Sequence, residues 1–301
     1  MSPRVSASAP LDSPGSNAQP RPPRTALSFE VIPPRGPADT GTQDHLIDDL
    51  ARYAPDYVAV TSSQRSGWLE GTAATISRIT TRTGLRPLAH LACTAGTGAQ
   101  LRDWIEQLVD AGVRGLLALR GDLPPGGMPP DHLAHATDLV RAIRDFEQVQ
   151  AQRFAAGRLA VGVACYPQGH AESATRDEDF DVLLAKQRLG ADFAITQLFF
   201  DAEDYLRFVE QARLAGVRIP LIPGIMPITS VAKLERMAQL SGHPVPPHLA
   251  RRLEIDPDCG LELTAQLARA CIDGGAGALH IYTHNNLSQT VELLDRIGLH
   301  S

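Results

Sequence analysis

The feature that most limits what this chain can fold into is a change of period, repeated eight times over residues 26–301. Short β-rich runs alternate with stretches whose apolar residues recur every three to four positions. The runs are LSFEVIP (27–33), YVAVTS (57–62), PLAHLAC (87–93), GLLALRG (115–121), RLAVGVACYP (158–167), DFAITQLFF (192–200), PLIPGI (220–225) and ALHIYT (278–283). Between them Leu101, Trp104, Ile105, Leu108 and Val109 share one helical face, as do Ala136, Leu139, Val140 and Ile143. Further helices are predicted near 44–53, 72–83, 175–189, 202–215, 230–241, 261–273 and 287–297, with Gly84, Gly112, Gly190 and Gly216 as helix-ending residues. Strand then helix, eight times over, is the pattern of an α/β protein of the (β/α)8 TIM-barrel type. The rival is a doubly wound open sheet, which would need a glycine fingerprint after its first strand. Here Gly96-Thr97-Gly98 follows the third run, and Leu101 stands where the last glycine belongs. Residues 1–25, rich in Pro, Ser and Arg, are expected to be a disordered tail, and 26–301 a single barrel domain. Residues 241–258 read as a Pro-rich insertion whose His243 and His248 are surface residues.

Composition narrows the class. With 28 Lys and Arg against 34 Asp and Glu, the net charge is −6 and no basic run exists, which argues against a nucleic-acid partner. No apolar stretch approaches the roughly 20 residues of a membrane span, and no apolar signal core opens the chain, so a cytoplasmic location is expected. Cys93, Cys165, Cys259 and Cys271 are scattered without a C-x-x-C pair. A metal is not expected either. His132 and His135 lack the Glu of H-E-x-x-H, and His280 and His284 straddle a strand end. There is no G-x-S-x-G elbow for a serine hydrolase.

In a barrel of this kind the reacting groups come from the carboxyl ends of the strands. That rule selects Glu30 in the first run, Thr61 ending the second, His90 in the third and Arg120-Gly121-Asp122 closing the fourth. Tyr166 and His170 follow the fifth, Gln197 lies in the sixth and Tyr282 ends the eighth. Each has a bland reading. Glu30 could face solvent at a strand edge, Asp122 could cap the turn before Leu-Pro-Pro-Gly, and His90 and Gln197 could be satisfied core groups. In a closed barrel, however, both faces of a strand are covered, and an unpaired carboxylate there is costly. Glu30 is therefore expected to be functional, with a raised pKa.

Read in order, FEVIPP, VTSS, AHLAC, ALRGDLPPG, ACYPQGH, GADFAITQLFFD, IPGIMPI and HIYTHNN resemble the 5,10-methylenetetrahydrofolate reductase family over about residues 26–298. The resemblance implies a (β/α)8 barrel that binds FAD and uses NADH or NADPH to make 5-methyltetrahydrofolate for methionine synthesis. It implies Glu30 as general acid, Asp122 beside the flavin and the pterin, and Gln197, Tyr205 and Met237 in contact with folate. It places Thr61, His90, Leu119, Arg120, Gly121, Asp122, Ala136, Tyr166, His170, Asp179 and Lys186 at flavin contacts. Protonation of folate N10 by a partly desolvated carboxylic acid opens the imidazolidine ring. A carboxylate such as Asp122 then stabilises the N5 iminium cation. Because nicotinamide and folate would use one flavin face, ping-pong kinetics are implied.

Some positions depart from the family pattern. Ser62-Ser63-Gln64 replaces a usual Tyr-Gly-Ala, Val182 and Ala185 replace commonly polar or basic residues, and Asn286 stands where some members carry an Arg. A flavin-free reductase with direct hydride transfer from NADH and a noncatalytic folate-binding barrel are the alternative readings. A lyase acting on a phosphorylated substrate is disfavoured, because Ile228-Thr229-Ser230 offers few free backbone donors. The choice between NADH and NADPH and the oligomeric state, a homo-oligomer included, stay open.

Overall fold

A computed structural model describes residues 25–34, 36 and 39–300; the tail expected over 1–25 lies, Thr25 apart, outside the described residues. Among the described residues, nine parallel strands form one sheet in the order β7-β6-β5-β4-β3-β2-β1-β9-β8. They are β1 (Ala26–Val31), β2 (Tyr57–Val60), β3 (Pro87–Ala92), β4 (Gly115–Leu119), β5 (Ala160–Cys165), β6 (Phe193–Thr196), β7 (Leu221–Ile222), β8 (Gly224–Ile225) and β9 (Ala278–Tyr282). The seventh run accounts for the ninth strand. Pro223 has no N–H to give to a ladder, so the run breaks there into two short pieces. Leu221–Ile222 pairs with β6, and Gly224–Ile225 pairs with β9. The His280 N–H donates to Pro223 O at 3.0 Å, and this one bent stave closes the ring. The fold is the expected (β/α)8 barrel.

The helices are α1 (Thr40–Ala51), α2 (Leu69–Arg82), α3 (Gly98–Asp110), α4 (Ala136–Val149), α5 (Arg176–Arg188), α6 (Ala202–Leu214), α7 (Val231–Ser241), α8 (Pro247–Ile255), α9 (Gly260–Asp273) and α10 (Leu287–Arg296). Thr97 caps α3 by accepting from Gln100 N, while Gln100 Oε1 accepts from Thr97 N, a reciprocal capping box. Leu101, Ile105, Leu108 and Val109 are buried, as their spacing predicts, whereas Trp104 is half-buried at the edge of that face. Gly112, Gly190 and Gly216 end their helices with positive φ. Gly84 does not, because α2 stops one residue earlier, where extended Thr83 donates its hydroxyl to Ile79 O. The Pro-rich insertion is a correction of another kind. It contains α8, started by Pro247 and buried through Leu249 and Leu253 in a satellite cluster with Leu234 and Met237 of α7.

Strand parity positions the site. Leu27, Phe29 and Val31 belong to the apolar layer that includes Leu46, Ile47 and Leu50 of α1. The barrel interior is instead filled by Ala59, Leu88, Leu117, Ile195 and Ile222, with Tyr57, Leu119, Phe193, Ala278 and Tyr282 against them. Side chains alternate along a strand, so steps of two from Ala59, Leu88 and Ile195 bring Thr61, His90 and Gln197 to the carboxyl-end rim.

Candidate active site

Glu30 is the centre of the rim. Its side chain is 14% exposed, with Oε2 3.6 Å from His90 Nε2 and 4.0 Å from His280 Nε2. Both imidazole nitrogens are buried and have no hydrogen-bond partner among the described residues. Register explains the grouping, since Ser28 lies opposite His280 and Glu30 opposite Tyr282 in the β1–β9 pair. The loop after β9 fixes the end of β1. Thr283 donates its hydroxyl to Glu30 O at 2.6 Å, and Asn285 accepts from Ile32 N and donates to Ile32 O at 2.8 and 2.7 Å. To do so His284 and Asn285 adopt φ of 48° and 57°, an uncommon left-handed conformation for residues with side chains.

The raised pKa expected for Glu30 is not what the fold produces. Burial pushes its carboxyl up, but the nearby imidazoles of His280, His90 and His284 outweigh that, and the net shift is downward. His90, desolvated by burial, is pushed down as well.

Tyr282 crosses the barrel mouth and donates to Thr196 O at 2.7 Å. Gly224 makes room for it, because a Cβ there would lie 2.4 Å from Tyr282 Cε2 and 2.7 Å from Thr196 O. Gln197 follows β6. Its Oε1 accepts from Leu198 N at 2.9 Å, which orients the amide and leaves its NH2 as the free end. Thr61 lines a 280 Å³ cavity with Ile32, Pro33, Ser62, Ser63, Arg65 and Ser66.

The remaining candidates gather where β4 and β5 end. Arg120 makes a two-pronged ion pair with Glu172. Asp179 accepts from His170 N at 3.1 Å and from Ser173 Oγ at 2.6 Å, and the Tyr166 and His170 rings meet edge to face at 4.6 Å. Lys186 is buried, and its one hydrogen-bond acceptor among the described residues is Ala164 O at 3.0 Å. Burial pushes this ammonium down, and pushes the Tyr166 phenol up to about 12. Gly121 needs its φ of 82° to turn the chain after β4, where a Cβ would meet Thr94 Oγ1 at 2.0 Å. Leu119 is half-buried at the strand end, Ala136 is buried at the start of α4, and Asp122 is exposed in the following loop.

Two expected folate contacts are packed among apolar side chains. Tyr205 is 3% exposed, stacked on Phe199, and donates to Leu221 O at 2.9 Å. Met237 is 1% exposed in the satellite cluster with Leu198, Phe200 and Ile228. Asn286 caps α10 by accepting from Gln289 N. His248 is exposed beside Asp201, but His243 is half-buried, with Nε2 3.0 Å from Gly169 O. Ser28 and His280 were the functional candidates that sequence reasoning passed over. The signal was their spacing, since Ser-x-Glu and His-x-Tyr each put two polar groups on one face of a strand.

The family model for methylenetetrahydrofolate reductase matches residues 17–298. The 5,10-methylenetetrahydrofolate reductase of Escherichia coli is 31% identical over 281 residues, 91% of this chain and 90% of that protein. The probable methylenetetrahydrofolate reductase (NADPH) of Caenorhabditis elegans is 36% identical over 225 residues, 72% of this chain and 33% of that longer protein. Among solved structures, 2,3-dimethylmalate lyase superposes with a TM-score of 0.54 at 14% identity, covering 92% of this chain and 84% of that one, a likeness of fold alone. The chain belongs to the methylenetetrahydrofolate reductase family.

Proposed function

We propose that this protein reduces 5,10-methylenetetrahydrofolate to 5-methyltetrahydrofolate with a reduced nicotinamide coenzyme, NADH or NADPH, and that FAD is its bound cofactor. The observation that carries the reading is Glu30, a carboxyl enclosed by His90 and His280 on the same rim as Gln197 and Thr61. A binding barrel has no need of a proton donor in such a cage.

The donor set at the ends of β4 and β5 suits an anionic dinucleotide. Lys186 is a buried cation with donors left over, and Arg120 and His170 surround the same loop. Thr61, His90, Leu119, Arg120, Gly121, Asp122, Ala136, Tyr166, His170, Asp179 and Lys186 would hold FAD, with the contribution at Val182, which is 43% exposed, and at Ala185 lost to apolar side chains. When bound, FAD would supply the hydride carrier between nicotinamide and folate. The chain's own part is acid chemistry and orientation. Glu30 gives a proton to N10 of the folate, the ring C–N10 bond breaks with its electron pair staying on N10, and the exposed Asp122 faces the resulting cation. Gln197 offers its amide NH2 to the pterin. Tyr205 and Met237 act through packing.

Residues 26–301 work as one catalytic domain. No helix among the described residues is long and apolar enough to cross a membrane, and the proposed location is the cytoplasm, with small molecules rather than nucleic acid as partners. The product is a methyl donor of the kind methionine synthesis consumes.

Purified protein should be yellow and release flavin on denaturation. A colourless preparation that still oxidises NADH with methylenetetrahydrofolate would remove FAD and leave the reductase. Glu30→Gln should lower folate reduction by about 10³-fold while nicotinamide oxidation with an artificial acceptor continues. Equal loss of both half-reactions would remove Glu30 from the acid role.

A further inference from the structure

Of the 28 Lys and Arg in this chain only two are Lys, Lys186 and Lys233. The rest are guanidinium groups, and many are spent on ion pairs within the fold, as at Arg78–Asp44, Arg82–Asp48, Arg144–Asp192 and Arg153–Asp110. The two ammonium groups are used differently. Lys186 reaches Ala164 O near the end of β5, and Lys233 lies in the first turn of α7, just past β8. Desolvation pushes both down, and neither makes an ion pair among the described residues. Lys233 is half-buried, and its Nζ donates to Gln289 Oε1 at 2.9 Å, which leaves its other N–H groups for a ligand. Arg236, one turn on and bonded among the described residues to Gln239, adds a second positive charge. His284 is within electrostatic reach of both these cations and Glu30. Desolvation and Lys233 push its imidazole down, Glu30 opposes them, and Arg236 adds to the push. Asn286 caps α10 and brings no charge. In a chain where 34 Asp and Glu outnumber 28 Lys and Arg, this edge of the rim has cations with no acid paired to them. The Lys233 ammonium costs stability where it stands, partly desolvated and set against the dipole of its own helix.

We propose that Lys233 reads the acidic tail of the folate: its ammonium binds a carboxylate of the glutamyl group, with Arg236 as the outer cation for a longer tail. This rests on the reductase reading and names what the β8–β9 edge of the site recognises. The direction follows from the chemistry. The p-aminobenzoyl-glutamate group is attached at N10, the atom assigned to Glu30, so the tail leaves the reacting ring from the Glu30 sector. The ends of β4 and β5, across the ring from β8 and β9, carry the donors assigned to FAD, and Arg120 there is already paired with Glu172. The edge beside His284 has positive charge and no anion. An ammonium on a flexible stem can follow a mobile tail, which a fixed guanidinium fork does less well. No bond is made or broken at this contact, so its loss appears in KM and not in kcat.

The test compares methylenetetrahydrofolate with methylenetetrahydropteroate, which share the pterin and the p-aminobenzoyl group and differ by the glutamyl tail. Wild type should show a KM about 10-fold lower for the folate, the worth of one partly exposed charge-assisted contact. Lys233→Met should raise the folate KM about 10-fold, keep kcat within about twofold and leave the pteroate KM where it is, so that the preference disappears. Lys233→Arg, which keeps the charge, should hold the preference within about threefold of wild type. Added salt should erode the preference of wild type and leave Lys233→Met unaffected. An equal rise in both KM values, a preference that survives in Lys233→Met, or a rise in the KM of the nicotinamide coenzyme in place of the folate overturns the proposal and leaves the reductase reading standing. If Lys233→Met does not fold, Lys233→Gln takes the same measurements. A wild type that turns over neither compound overturns the reductase reading. Calorimetric titration of the resting protein with the same two compounds then decides the tail contact, which stands if wild type binds the glutamylated one more tightly and Lys233→Met does not, and falls if the two bind alike.

Discussion

Two sectors of the same rim handle their polar groups in opposite ways. Around Glu30, two buried imidazole nitrogens have no hydrogen-bond partner among the described residues, and Glu30 is the acid that lies beside both. Around Arg120, nearly every charge is already matched within the chain. Arg120 is paired with Glu172, and Asp179 is bonded to the backbone and hydroxyl of the loop it supports. The first sector holds one carboxyl between two buried imidazoles with no exchangeable partner to give up. In the second, an anionic ligand must take Arg120 from Glu172 or be satisfied with the leftover donors of Lys186. Preorganisation belongs where charge develops during reaction, and exchangeable pairs suffice where a ligand only has to be held.

The contrast predicts its largest effect at Arg120. Arg120→Gln should weaken flavin binding about 10- to 100-fold, the loss of a charge-assisted contact, as read by flavin fluorescence on titrating apoprotein. Glu172→Gln should act in reverse and tighten binding about threefold, because an exposed ion pair contributes only about 0–1 kcal/mol and its removal frees the guanidinium. If Glu172→Gln weakens binding, the pair is part of the holding geometry and the two sectors are alike.

How much of this could be read from residues follows the same division. The staves were legible because period two and period 3.6 alternate cleanly, and Thr61, His90 and Gln197 continue inward parities already visible in their own strands. The cage was not. That His280 meets Glu30 depends on β9 pairing with β1 across 252 residues of sequence between Ser28 and His280, a register that no local pattern encodes. Tyr205 and Met237 are the reverse case. Their positions in the chain match folate contacts, but rotation about the axes of α6 and α7 turns them into apolar layers.

A smaller effect tests whether Lys186 is kept for binding rather than for folding. Its ammonium is buried and its pKa pushed down by desolvation, so at neutral pH the charge costs stability. Lys186→Met should raise the melting temperature by about 2–4 °C, equivalent to about 1 kcal/mol in a chain of this size, and lower flavin affinity at the same time. A variant that melts earlier would show that the bond to Ala164 O is structural.

The smallest effect at neutral pH, and the sharpest in sign, lies in the Glu30 sector. Glu30 is held below its ordinary 4.5 and His90 below its ordinary 6.5, so in both cases the unfolded chain binds the proton more readily. For His90 the native state begins to lose stability as pH falls below about 6.5, and for Glu30 below about 4.5, each loss being complete once pH has passed the lower folded value. The melting temperature of wild type should therefore fall in two stages between pH 7 and 4. His90→Gln should flatten the upper stage and Glu30→Gln the lower one. The partners in the cage are coupled, so Glu30→Gln should also change the upper stage, whereas Arg120→Gln, in the sector of exchangeable pairs, should leave both stages where they are. A wild type whose melting temperature is level over this range would mean that the cage takes up its protons without cost, and the two sectors would then not differ in preorganisation.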